Sequence, residues 1–220
     1  MGGAIIAVIC IIGAVIWGIW AGKKRRDDMT LLAEELGLDF RHERNYQLAD
    51  RYSFLDKLRQ GSNRYAYNML AGNYRDHDIA AFDYHYETHS TDSDGKRKTH
   101  HHHFSFFILT LPKFFPELTI AKEGLFSKIA QAVGYDDIDF ESHEFSKSFV
   151  VRCKDKKFAY DFCNARMMEF LLNHRDINIE LDQNQLAVGY NTKLKVEEIR
   201  PHLDRLIEIR KLMPNYLFED

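Results

Sequence analysis

The hydrophobic pattern divides the chain into two unequal parts. From Gly2 to Gly22 it is unbroken: GGAIIAVICIIGAVIWGIWAG carries no charged side chain. At about 1.5 Å per residue such a stretch makes a helix about 30 Å long, the thickness of a bilayer core, and predicts a single transmembrane helix. Trp17 and Trp20 fall at its C-terminal end, where indole rings favour the headgroup zone, and Lys23, Lys24, Arg25 and Arg26 follow. These six residues form the expected membrane-interface set. No Lys or Arg precedes the span, so the positive-inside bias places the N-terminus outside and residues 27–220 in the cytoplasm, as in a single-pass inner (cytoplasmic) membrane protein. A secretory signal would carry its basic residues before the apolar run, Ile9 is a poor residue ahead of a lipidated Cys10, and Ile6 stands where N-myristoylation requires Ser or Thr. Ala14, Gly18 and Gly22 make a small-xxx-small row that offers a face for a homodimer within the bilayer.

After the anchor (1–26) the pattern changes to short periodic segments. DDMTLLAEELGLDF places Met29, Leu32 and Leu36 on one helical face and ends at Gly37, a natural C-cap. A short helix is expected over 51–61. Alternation then predicts strands over 63–70, 79–89 and 99–111, with Pro112 and Pro116 bracketing a break before a further strand, ELTIAKEG. Beyond these the pattern gives a small helix (125–134), two strands meeting at a corner (137–142 and 146–154) and one long amphipathic helix (156–174). A hairpin around Asp182, Gln183 and Asn184 follows, then a closing helix containing Pro201. This order predicts an α+β fold, a mostly antiparallel sheet with packed helices behind the membrane helix. A strands-then-helix pattern recurs over 63–134 and 138–213, so the two halves are candidates for a diverged duplication.

Composition adds limits on function. The net charge of −3 supplies no global attraction for nucleic acid, so none is expected as a partner. Three cysteines without CxxC spacing exclude a disulfide scaffold or a zinc ribbon. The sequence contains no P-loop, GxGxxG, GxSxG or HExxH. Asp155 and Lys157 downstream of Asp136, Asp137 and Asp139 form a loose nuclease-like D-x-K arrangement. His143 between Glu141 and Glu144 is a nominal acid/base group, and Cys163 sits within an amphipathic helix, where packing accounts for it.

The most pointed chemistry lies in AAFDYHYETHS (80–90) facing KTHHHHFSFFILTLP (98–112) across the polar turn STDSDGKRK. Phe82, Tyr84, Tyr86, Phe104, Phe106 and Ile108 are all even-numbered, so the even face is the buried one. A symmetric hairpin then sets His85 opposite His103 and Glu87 opposite His101 on an odd, solvated face. Directly opposed side chains lie about 5 Å apart, so these four residues are a candidate zinc site. At the base, Ile79, Ala81, Phe107 and Leu109 make the odd face apolar too, which predicts a buried root and a projecting two-stranded tip. Taken together, the sequence favours a membrane-anchored, non-enzymatic accessory module with the bilayer and another protein as partners. The alternatives are a metal-dependent hydrolase or nuclease built on the histidine patch, and a lipid- or pH-sensing regulator.

Overall fold

A computed structural model describes residues 2–122 and 137–219, and within the first fifteen residues it describes the side chains of Ile6, Ile9, Ile12 and Val15. The helix expected over 125–134, and Asp136, lie outside the described residues. The chain begins with α1 (Gly2–Leu36), a 35-residue helix. It ends where expected: Gly37 takes the left-handed conformation (φ +67°), its N–H donates to Glu34, and the Leu38 N–H donates to Ala33. This pair of bonds satisfies the last carbonyls and turns the chain into the sheet.

The fold is α+β, with one six-stranded antiparallel sheet. In chain order come β1 (Asp39–Arg41), α2 (Tyr46–Arg51), α3 (Asp56–Arg59), β2 (Ser62–Tyr74), β3 (His77–Thr91) and β4 (Arg97–Lys122). They are followed by α4 (His143–Ser148), β5 (Phe149–Cys153), α5 (Lys156–Phe162), α6 (Ala165–Asn173), β6 (Asn178–Gly189), α7 (Val196–Leu212) and a 3₁₀ turn, Asn215–Phe218. Strands β1 to β4 are consecutive antiparallel neighbours. The long strand β4 holds the sheet together: its first part pairs with β3, its last part with β5, and β6 runs along its other side.

Alternation along β3 and β4 feeds two separate cores. The odd residues Ile79, Ala81, Phe107 and Leu109 join Met29 and Ala33 of α1 and Ile199, Leu203 and Leu206 of α7. The even residues Phe82, Tyr84, Phe104, Phe106 and Ile108 pack under Leu48 and Ala49 of α2 and Leu55 and Leu58 around α3. The root of the hairpin is therefore covered on both faces, as the sequence implied. Pairing of β2 with β3 stops at Ser62–Glu87, and beyond it Thr88–Thr91 pair only with Arg97–His100. The tip is a two-stranded arm.

Several sequence expectations are corrected. The region 178–189 is one strand and not a hairpin: Gln183 (φ +56°) absorbs a bulge while β6 continues along the same partner. Its register against β4 shifts between Thr110 and Leu118, the stretch containing Pro112 and Pro116, so the prolines bend β4 instead of ending it. The amphipathic run 156–174 is broken at Cys163 and Asn164, because the Asn164 side chain accepts hydrogen bonds from the N–H groups of Arg166 and Met167 and starts a new helix. The expected corner of two strands contains instead α4, capped by Ser142 Oγ accepting from Phe145 N–H. Pro201 lies inside α7. Finally, among the described residues no helix is long and apolar enough to cross a membrane, so the fold does not by itself establish the expected span.

One ion pair fixes α1 to the sheet. Arg25 Nε and Nη2 donate to the two carboxylate oxygens of Asp83 at 2.9 and 2.8 Å, and its Nη1 donates to the Leu194 carbonyl at 2.8 Å. Asp83 also accepts from Asn68 Nδ2 (2.9 Å) and Ser105 Oγ (3.1 Å), while Ser105 Oγ accepts the Leu194 N–H. With side chains 13% and 2% exposed, the pair has left bulk water, and the surrounding donors offset its desolvation. Replacing Asp83 by Ala strands a buried guanidinium and should cost about 3–5 kcal/mol in a urea unfolding titration. The double variant Arg25→Met/Asp83→Leu should recover most of that loss; equal loss in single and double variants would refute this account.

Candidate functional site

The histidine face has the predicted register: His85 pairs with His103 and Glu87 with His101. Strand β2 completes the site. Its register shifts between Ser62 and Tyr65, and in that bulge Asn63 takes a left-handed conformation (φ +48°). The Asn63 carbonyl then lies 3.0 Å from His85 Nδ1, while its side-chain amide donates to Glu87 Oε1 at 2.7 Å. A carbonyl only accepts, so His85 Nδ1 carries a proton and, in the neutral ring, Nε2 presents its lone pair.

That Nε2 lies 3.1 Å from His101 Nδ1, which is 3.4 Å from Glu87 Oε1. Ligand atoms of His85, Glu87 and His101 all fall within 4.8 Å of one another. His85 is 3% exposed and stacks on Tyr65 at 4.5 Å between ring centres, with the Arg44 guanidinium over the same Tyr65 ring. The side chains of Glu87 and His101 are 16% and 57% exposed, so the cluster has a fixed floor and an open roof. The Asn63 hydrogen bond, followed by the neighbouring His101, His85 and His89, holds the Glu87 carboxyl below the usual range.

Two expectations change here. His103 does not join the other three: its Nδ1 is hydrogen-bonded to Tyr67 OH at 3.0 Å, and burial holds its pKa below the ordinary histidine value. The odd face is also not solvated throughout, since Asp83, His85 and Ser105 are buried beneath α1, β2 and the Leu194 segment. The remaining histidines have separate partners. His100 and His102 lie on the even face, bonded to Ser90 Oγ and Thr88 Oγ1 (each 2.8 Å), and His89 bridges Thr99 and Ser62.

The other candidates resolve into structural roles. Asp155 caps α5 by accepting from Phe158 N–H, and Asp137 pairs with Arg152. His143 opens α4, and its neighbour Glu144 pairs with Arg175. Cys163 is buried and burial pushes its thiol pKa up, which suits packing and not nucleophilic attack. Within the membrane-interface set, Trp17, Trp20, Lys23, Lys24 and Arg26 are exposed, whereas Arg25 is drawn into the domain by Asp83.

Sequence reasoning missed a buried polar group on the opposite face. Glu180 of β6 accepts the Lys57 backbone N–H with both oxygens (3.1 and 3.2 Å), capping α3 across the sheet. The Lys57 ammonium donates to Asn191 Oδ1 at 2.8 Å and lies over the Phe104 ring. Burial pushes the Glu180 carboxyl up to about 7 and lowers the Lys57 ammonium to about 8. A lone Glu within INIEL gave no signal of this.

No protein-family model matches the chain, and no curated protein is significantly similar to it. Its fold is similar to that of a mycobacterial protein of known crystal structure, the trehalose monomycolate transport factor A, TtfA. The TM-score is 0.62 at 14% identity, covering 87% of this chain and 95% of that one. At that identity the likeness concerns the fold.

Two outcomes test the site's framework. Gly61 (φ +64°) precedes the bulge, and a Cβ there would collide with the Glu87 carbonyl oxygen and the Tyr86 ring. Gly61→Ala should therefore destabilise the chain by about 1–3 kcal/mol and loosen the Asn63 bulge, visible as faster amide exchange at His85. For Glu180, the folded pKa lies above the unfolded one, so its favourable contribution is complete below the ordinary Glu value and is lost as pH rises through about 7. Wild type should thus lose roughly 2–3 kcal/mol relative to Glu180→Gln between pH 4.5 and 8 in urea titrations. Lys57 stays charged, folded or unfolded, over most of that window; a pH-independent difference between the two proteins would contradict the assignment.

Proposed function

We propose that the chain is a membrane-tethered accessory protein whose α+β domain binds another protein. The carrying observation is the course of α1, which runs without a break from the uncharged stretch 2–22 into the odd-face core. Among the described side chains of that stretch, the large ones, Ile6, Ile9, Ile12, Val15, Ile16, Trp17, Ile19 and Trp20, are apolar and exposed. Water is a poor environment for such a helix, and a bilayer is a good one. One turn beyond Gly22, Arg25 is clamped to Asp83, so the domain sits at a fixed distance and orientation relative to the apolar segment. A flexible linker would suit an enzyme that only needs an address; a rigid junction suits a module that presents a surface to a neighbour in the same membrane.

The shared fold with a protein named as a transport factor supports an accessory role over a catalytic one. The basic cluster after the apolar stretch favours a cytoplasmic domain with the N-terminus outside. The full chain should remain in the membrane pellet after a carbonate wash, and deletion of residues 2–22 should release it. Photocrosslinkers on exposed domain positions should capture the same protein in membranes from full-length chain, and lose it when Asp83→Ala removes the Arg25 clamp in protein that stays folded by circular dichroism. Release of the full chain by carbonate would refute the tether, and an unchanged crosslink in Asp83→Ala would refute the rigid presentation.

A further inference from the structure

The His85–Glu87–His101 cluster has the shape of a cation site, which the tethering reading neither requires nor explains. Two ligand atoms bound at about 2.0–2.1 Å to a tetrahedral zinc ion lie about 3.3–3.4 Å apart. The two measured edges of the cluster, His85 Nε2 to His101 Nδ1 and His101 Nδ1 to Glu87 Oε1, are 3.1 and 3.4 Å. The third lies within 4.8 Å.

The supporting groups are also in place. A histidine ligand characteristically donates its second ring N–H to a carbonyl or carboxylate, which fixes the tautomer and aims the lone pair. His85 does this to the Asn63 carbonyl, and the Asn63 amide orients the Glu87 carboxylate. A single residue of the neighbouring strand thus sets two of the three donors, and its left-handed backbone lets the carbonyl and the amide serve both. The buried His85 ring is further held by Tyr65.

We infer that His85 Nε2, Glu87 and His101 Nδ1 bind one divalent transition ion of the zinc class, with water in the remaining position on the exposed His101 side. Two imidazoles and a carboxylate suit this class; calcium and magnesium prefer all-oxygen shells. The ion takes the place of the hydrogen bond that joins the two imidazoles: the proton that His101 Nδ1 donates to His85 Nε2 leaves to solvent, and the neutral His101 ring then carries its proton on the exposed Nε2. Because the site spans β3 and β4 just where β2 stops pairing, a bound ion ties the two-stranded arm to its three-stranded root.

The test uses the full chain, purified in detergent without an affinity tag and treated with chelator, then titrated with Co²⁺ and with Zn²⁺. One Co²⁺ per chain should bind with the intense visible absorption of a four-coordinate site, and Zn²⁺ should bleach it. His101→Ala, an exposed change that leaves the folded chain intact by circular dichroism, should abolish the band. Asn63→Gly, which preserves the backbone conformation and removes the amide, should weaken Zn²⁺ binding about 10–100-fold. The double variant His100→Ala/His102→Ala should bind as wild type, because those rings face the other side of the sheet. Zn²⁺ should also slow amide exchange at Thr88–Thr91 in wild type and not in His101→Ala. The proposal is overturned if no stoichiometric ion binds, if binding survives His101→Ala, or if His100→Ala/His102→Ala weakens it as much; the last would mean generic chelation by a histidine run. Membrane extraction and crosslinking are read separately, so failure here leaves the tethering result to stand or fall alone.

Discussion

The Arg25–Asp83 pair holds the two parts of this molecule in one geometry. A guanidinium and a carboxylate withdrawn from water are unfavourable unless nearly every donor and acceptor is matched, and here they are: Asn68, Ser105 and the Leu194 carbonyl complete the set. The requirement is exacting, so the pair acts as a locator. It sets the rotation of α1 about its axis, which places Met29 and Ala33, one and two turns further on, in the odd-face core. It ties three segments far apart in sequence, α1, the β2–β3–β4 root and the chain before α7, to a single point.

The same root positions the histidine cluster. Asp83 and His85 are successive odd-face residues of β3, so once Asp83 is committed to Arg25 the phase of the strand is fixed, and Glu87 and His101 must meet at the edge of the buried region. Asp83 and His85 are both buried, and burial falls off from there to Glu87 and then His101. That gradient gives the cluster rigid support beneath and solvent access above. On the opposite face the cap of α3 by Glu180 does similar work, since it docks a very short helix that could not form by its own propensity.

Several single residues with no distinctive sequence signal decide local geometry. Asn63 and Gln183 both adopt left-handed conformations at bulges, one building the cluster and the other letting β6 follow the bend of β4. Asn164 splits a helical pattern that periodicity alone reads as continuous, because a side-chain cap competes locally with helix propagation. Pro112 and Pro116 look like strand terminators, but at a register shift the ladder does not need their missing N–H groups.

The sequence by itself determined the α+β class, the Schellman-type stop at Gly37, the two-faced root and projecting tip of the hairpin, and the opposition of His85 with His103 and Glu87 with His101. These follow from local periodicity, whose period of two leaves only one phase that buries the aromatics. The apolar run 2–22 with its basic flank is likewise a property of the sequence alone. Tertiary structure decided which histidines converge, because β2 supplies Asn63 to one group and Tyr67 to His103. It also decided the role of Arg25, which in sequence is one of four basic residues after an apolar stretch and in space is the partner of a buried aspartate 58 positions away. Periodicity reports which face a residue occupies; what lies across from that face depends on contacts distant in sequence, and only the folded chain supplies them.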